Sequence, residues 1–148
     1  MPSVFIAADH RGFELKNRLL ALYPDFTDLG PKAYNPDDDY NDAALAVSRN
    51  VLETPDSFGV LICGSAIGVS IQANRFKKVR AAVCSCPESA KLSRLHNNAN
   101  ILCLSADRVK TDADFTKARD TLGAFLTTAF SNEPRHLRRI NRLDEETL

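Results

Sequence analysis

Five short apolar runs recur along this chain, each followed by a segment with the spacing of an amphipathic helix. The runs cover residues 4–8, 26–29, 58–63, 80–84 and 101–105. They are near-continuous in apolar residues rather than alternating, so each strand is expected to be covered on both faces. Strand, helix and strand in succession imply a crossover, and crossovers make the strands parallel. The expected fold is therefore α/β: a doubly wound, Rossmann-like sheet of five parallel strands with helices on both faces. A single domain is expected over residues 1–148. The first helix is expected over 13–22, with apolar residues at 15, 19, 20 and 22, and Pro24 ends it. Others are expected over 40–52, 65–76, 88–96 and 112–130, the last capped by Thr111 or Asp112, and Pro134 opens a final segment to 143.

Composition narrows the partners. At 148 residues, 44% apolar and 26% charged, the chain reads as an ordinary globule large enough for one core. Its net charge is zero, which gives no electrostatic reason to expect nucleic acid or a membrane surface. No apolar run approaches the ~20 residues of a membrane span. No basic segment precedes the N-terminal apolar run, so a signal peptide is not expected and the cytosol is the expected location. Cys84, Cys86 and Cys103 read as small, reduced core residues. The pair Cys84-Ser85-Cys86 lacks the spacing of a zinc site, and no metal or cofactor is expected.

In a doubly wound sheet, ligands bind beyond the carboxyl ends of the strands. Asp9-His10 follows the first strand, Cys63-Gly64-Ser65 the third, Cys86 the fourth and Ala106-Asp107-Arg108 the fifth, so all should meet at one edge. The segment 60–71 is the richest in chemistry, with a cysteine, two glycines and two serines where strand gives way to helix. A thiol there lies near backbone N–H groups and the positive end of a helix dipole. That setting lowers a thiol pKa and also stabilises an oxyanion. The glycines do not form a dinucleotide fingerprint, and no Gly-Lys-Ser/Thr follows to make a P-loop. A cysteine-dependent phosphatase needs arginine where this chain has Val69. A Cys–His hydrolase using His10 or His96 stays open. Proton transfer along a sugar fits best. It needs a carbon base (Cys63), donors for an enediolate (the N–H groups of Gly64 to Ser70), and an acid–base group for ring opening (His96). Arg135 and Arg139 share a helical face and can grip a phosphate, although the same spacing occurs on solvated basic faces. The run Asp37-Asp38-Asp39 reads as a solvated loop and helix start.

Several motifs follow in order along nearly the whole chain. They are Ala8-Asp9-His10-Arg11-Gly12-Phe13, Asp39-Tyr40, Cys63-Gly64-Ser65-Ala66-Ile67-Gly68-Val69-Ser70-Ile71 with Ala73-Asn74-Arg75, Ser93-Arg94-x-His96-Asn97, and Arg135-His136-x-x-Arg139. In these the chain resembles the ribose-5-phosphate isomerase B and galactose-6-phosphate isomerase family. The resemblance implies a cofactor-free aldose–ketose isomerase acting on ribose 5-phosphate and ribulose 5-phosphate through a cis-enediolate. It implies Cys63 as the carbon base, Ser65 in proton movement near O1 and O2, His96 in ring opening, and Asn97 in holding the enediolate. It further implies Asp9 and Tyr40 at the sugar, Gly64, Gly68 and Ser70 in the anion hole, and His10, Arg108, Arg135 and Arg139 at the phosphate. It also implies a homodimer, or a dimer of dimers, with sites shared between subunits and helix 134–143 serving both the dimer and the phosphate.

Four departures surround the sugar, one of them the loop Gly30-Pro-Lys-Ala-Tyr34-Asn-Pro-Asp37, which adds a tyrosine and two prolines. Ser65 replaces the usual threonine and keeps the hydroxyl. Ala66 replaces a glycine, and its Cβ is expected to restrict the loop and narrow the anion hole. Asn41 replaces a proline, which removes a rigid residue beside the pocket. Alternatives to ribose 5-phosphate are therefore galactose or allose 6-phosphate, an unphosphorylated sugar, or a non-catalytic sugar-phosphate binding protein.

Overall fold

A computed structural model describes residues 2–145; Met1 and residues 146–148 of the expected domain lie outside the described residues. The order is β1 (Ser3–Ala8), α1 (Phe13–Leu22), β2 (Thr27–Asp28), α2 (Tyr40–Glu53), β3 (Ser57–Cys63), α3 (Ile67–Ala73), β4 (Ala81–Val83), α4 (Pro87–Asn97), β5 (Ile101–Ser105), a 3-10 turn (Ala106–Arg108), α5 (Asp112–Thr127) and α6 (Pro134–Asn141). All five strands are parallel, in the order β2-β1-β3-β5-β4.

Strand parity sorts the core into two layers, because successive side chains point to opposite faces. Even-numbered Val4, Ile6, Val60, Ile62, Leu102 and Leu104 pack with Leu15 and Leu19 of α1, Ala90 of α4, and Leu122 and Phe125 of α5. Odd-numbered Phe5, Ala7, Leu61, Cys63, Ile101 and Cys103 pack with Ala44 and Val47 of α2 and with Val69 and Ala73 of α3. Each fully buried leucine, isoleucine or phenylalanine contributes ~1.5–3 kcal/mol of transfer free energy. The apolar runs of β1, β3 and β5 are thus the signature of strands covered on both sides, whereas the edge strands β2 and β4 are not so covered, contrary to expectation, and expose Thr27 and Val83.

Element ends follow local chemistry. Thr111 caps α5 by accepting from the Asp114 N–H, and Asp114 returns a bond to the Thr111 N–H at 3.0 Å, a complete capping box. The third helix starts later than expected, at Ile67, because Ala66 takes the left-handed conformation at φ 68°. The second strand shrinks to two residues. It lies at the sheet edge with β1 as its one neighbour, and Phe26 leaves the ladder to stack on Tyr23 at 4.7 Å.

Between β1 and β3 the sheet has its switch point. The chain leaves β1 through α1 on one face and leaves β3 through α3 on the other. The two loops diverge and open a crevice at the carboxyl edge.

Candidate active site

The loop after β1 is laid directly on the end of β3. The Asp9 N–H donates to the Ile62 carbonyl at 3.2 Å, and a Cβ on Gly12 would lie 2.6 Å from the same oxygen. Asp9 is buried, and its Oδ1 accepts from the N–H groups of Arg11 (3.0 Å) and Gly12 (3.1 Å). Its other oxygen has no hydrogen-bond partner among the described residues. His10 is held by Asp38, whose side chain is largely buried rather than solvated as its acidic run suggests. The His10 backbone N–H and Nδ1 both meet Asp38 Oδ1, at 2.9 and 2.8 Å. A carboxylate only accepts, so Nδ1 carries the proton and Nε2 is left to a ligand.

Asp38 is delivered by the loop 30–39, and that loop is anchored by Lys16. This lysine is 0% exposed, and its Nζ donates to Asp28 Oδ1 at 2.8 Å and to the Pro31 carbonyl at 2.7 Å. Burial alone would raise the Asp28 pKa. The bonds from Lys16, the Gly30 N–H and Lys32 outweigh it and hold the carboxyl below its ordinary value. No local signal in the sequence marks Lys16 as buried, since its neighbours obey ordinary helix spacing.

Cys63 is the last residue of β3 and is 4% exposed, opposite Ser105 in register. The Gly64 carbonyl accepts from the Asp107 N–H (3.0 Å) and the Ser105 hydroxyl (2.6 Å). The Arg11 guanidinium lies against Gly64, where any Cβ would collide with it, and forms an ion pair with Asp107. Ser65 Oγ accepts from the Ile67 N–H at 3.2 Å. The next N–H groups of α3 have no acceptor within the helix, since the first helical bond runs from the Ser70 N–H to the Ala66 carbonyl at 3.3 Å.

Two of the departures resolve here. Ala66 is fully buried in the layer of Ala43, Ala44, Val47 and Val69, so its methyl fills the core and leaves the anion loop unobstructed, contrary to the sequence expectation. At Asn41 the stiffness of a proline is replaced by a bond between helices, from Asn41 Nδ2 to Gln72 Oε1 at 2.9 Å. Beside it, the Tyr40 ring covers Gly68, where a Cβ would lie 2.7 Å from Tyr40 Cζ. Arg108, in the turn after β5, lines a cleft of about 140 Å³ with Ser85, Ser105, Asp114 and Lys117.

The remaining candidates lie elsewhere. Helix α4 leaves the carboxyl edge and ends at the amino edge, carrying His96 and Asn97 with it. Asn100, just beyond, accepts from the Gly59 N–H at 2.9 Å. Gly59 precedes Cys63 by four residues, about 13 Å along a strand at ~3.3 Å per residue. Helix α6 packs at the same end. The ring centroids of His96 and His136 are 4.5 Å apart, and His136 Nδ1 lies 2.8 Å from Ser131 Oγ. Burial, then the neighbouring His96 and Arg135, hold the His136 pKa below its ordinary value. Arg135 and Arg139 are exposed, with Arg135 paired to Glu133 at 3.1 Å. A single chain thus gathers Asp9, His10, Tyr40, Cys63, Gly64, Ser65, Gly68, Ser70 and Arg108 at one edge. It leaves His96, Asn97, Arg135 and Arg139 at the other.

Cys84 and Cys103 are buried core residues, whereas Cys86, contrary to expectation, is half-buried at the N-cap of α4, with its Sγ 3.4 Å from Ser89 Oγ. Burial pushes the Cys103 thiol pKa up, as do its neighbours Cys63 and Cys84, and burial likewise raises that of Cys84.

Comparison with known proteins agrees along nearly the whole length. The sequence profile of the ribose/galactose isomerase family matches residues 4–143. The probable ribose-5-phosphate isomerase B of Mycoplasma genitalium is 40% identical over 146 residues, covering 95% of this chain and 93% of that protein. Ribose 5-phosphate isomerase B from Anaplasma phagocytophilum superposes with a TM-score of 0.87 at 42% identity, covering 97% of each chain. The Mycoplasma genitalium enzyme solved with bound ribulose-5-phosphate superposes with a TM-score of 0.85 at 36% identity, covering 95% of this chain and 93% of that one. On this profile, these identities and the shared fold, the chain belongs to the ribose/galactose isomerase family.

Proposed function

We propose that this protein is a cytosolic aldose–ketose isomerase interconverting ribose 5-phosphate and ribulose 5-phosphate. One observation carries the reading: Cys63 ends β3 at the switch point, followed at once by a loop in which several N–H groups, that of Ser65 among them, have no acceptor among the described residues. Cys63 as thiolate takes the proton from C2 of the open aldose. The electron pair moves to form a cis-enediolate, whose oxyanion is held by N–H groups of the Gly64–Ser70 loop. Ser65 passes a proton between O1 and O2, and return of the proton to C1 gives the ketose. Asp9 and Tyr40 hold sugar hydroxyls, and His10 with Arg108 faces the phosphate. A relative with ribulose-5-phosphate bound supports the substrate class.

His96, for ring opening, Asn97, at the enediolate, and Arg135 and Arg139, at the phosphate, come from a second copy in this reading. A twofold dimer that brings the amino edge of one sheet to the carboxyl edge of the other completes two sites at once. Helix α6 then contributes to both dimer and phosphate site. Ile67 and Ile71, one turn apart on α3 and 57% and 61% exposed, offer an apolar stripe for that contact.

The test is incubation with ribose 5-phosphate in deuterium oxide, followed by proton NMR. The expected result is ribulose 5-phosphate with solvent deuterium exchanged at the reacting carbons. Absence of both conversion and exchange, with ribose 5-phosphate and with hexose 6-phosphates alike, would leave a binding protein.

A further inference from the structure

The backbone around Cys63 is held by a network that none of the roles above uses. The Gly64 carbonyl receives two donors from the β5 side, the Ser105 hydroxyl at 2.6 Å and the Asp107 N–H at 3.0 Å. A trans peptide is planar, so the N–H of the following residue points opposite to the carbonyl. Drawing the Gly64 carbonyl toward β5 therefore turns the Ser65 N–H away from it, toward the exposed side of the loop. That N–H has no acceptor among the described residues. The third brace is Arg11. Its guanidinium lies against the Gly64 Cα and pairs with Asp107, so the peptide is held between the loops after β1 and β5.

We infer that Ser105 is a positioning residue for the isomerisation, with the Arg11–Asp107 pair as its outer brace, and that it aims the Ser65 N–H at the enediolate oxygen. The inference rests on the isomerase reading above. An aligned donor matters most where charge develops, so its loss should appear in the chemical step rather than in ground-state binding. The Arg11–Asp107 pair is about half exposed, so its own worth to stability is small and its effect on the loop can be read separately.

The experiment compares wild type, Ser105→Ala, Ser105→Thr and Arg11→Met. It measures kcat and KM with ribose 5-phosphate, and Kd for a four-carbon phosphorylated hydroxamate, a planar mimic of the enediolate. For Ser105→Ala, kcat is expected to fall on the order of tenfold, KM to stay within about twofold, and hydroxamate affinity to fall in step with kcat. Ser105→Thr, which keeps the donor, should restore most of both. Arg11→Met should show the same pattern with a loss of roughly threefold, and it carries the test if Ser105→Ala does not fold. The inference is overturned by a Ser105→Ala enzyme of wild-type kcat, by a loss confined to KM, or by unchanged hydroxamate binding. Wild-type protein that isomerises no sugar phosphate overturns the isomerase reading itself, and the inference with it.

Discussion

The two edges of the sheet are built to different standards. At the carboxyl edge, side chains are tied to backbone, Asp38 to His10 and Ser105 to Gly64 across long stretches of sequence and Asp9 to two N–H groups within its own turn. At the amino edge, His96, Asn97, Arg135 and Arg139 stand exposed on the ends of α4 and α6. The tilted His96–His136 ring pair and the Arg135–Glu133 ion pair are ties within that edge. Chemistry on a carbon-bound proton demands sub-ångström placement of base and donors, which explains the bracing of the first edge. In the dimer proposed above, the second group is ordered by the partner copy and needs no such frame of its own.

The sharpest way to break this comparison is to mix two dead chains. Cys63→Ala should lose on the order of 10³-fold in kcat, and His96→Asn should lose a comparable factor wherever ring opening limits the rate. Co-refolded one to one, the two variants should regain about one-quarter of wild-type activity, because half the dimers are hybrids and each hybrid has one intact site. No recovery would place both residues in a site within one chain.

A second prediction concerns the frame behind His10. Lys16→Met leaves Asp28 without its buried partner and should destabilise the fold by about 3 kcal/mol at neutral pH, measured by urea unfolding. The Asp28 pKa is depressed in the folded state. Its contribution is therefore present above the unfolded carboxyl value of about 3.9 and is lost as pH falls through the lower folded value. The gap between wild type and Lys16→Met should accordingly narrow below about pH 4. A gap independent of pH would dismiss the ion pair as its cause.

Asp38→Asn should act on the same histidine without unfolding the chain. Losing one charge-assisted bond of about 1.5 kcal/mol should raise KM for the sugar phosphate roughly tenfold. An unchanged KM would mean that His10 needs no orientation. The smallest effect is expected at Ala66→Gly. Relief of a left-handed alanine gains about 1–2 kcal/mol, while the lost buried methyl and the freer unfolded chain together cost about as much. Stability should move by less than about 1 kcal/mol, and kcat should not change, since the methyl lies in the core.

Read alone, the sequence determined a good deal of this molecule. Apolar runs placed five strands, the central three of them covered on both faces, and the strand-to-loop junctions marked Asp9, His10, Cys63, Ser65 and Arg108 for one edge. Helix α1 and strand β5 match their expected bounds residue for residue, and Thr111 caps α5 as its side chain predicts. These features depend on side-chain periodicity and on caps that act within a few residues. Only the tertiary structure decided which groups meet. His10 and Asp38 are 28 residues apart, and Arg11 and Asp107 are 96 apart. Those pairings follow from the order β2-β1-β3-β5-β4, which brings distant loops side by side. The same topology sends α4 back across the sheet and carries His96 away from Cys63. Local propensity has no reach over such distances. Packing of whole layers sets them, so the division of the candidate site between two edges became legible only in the fold.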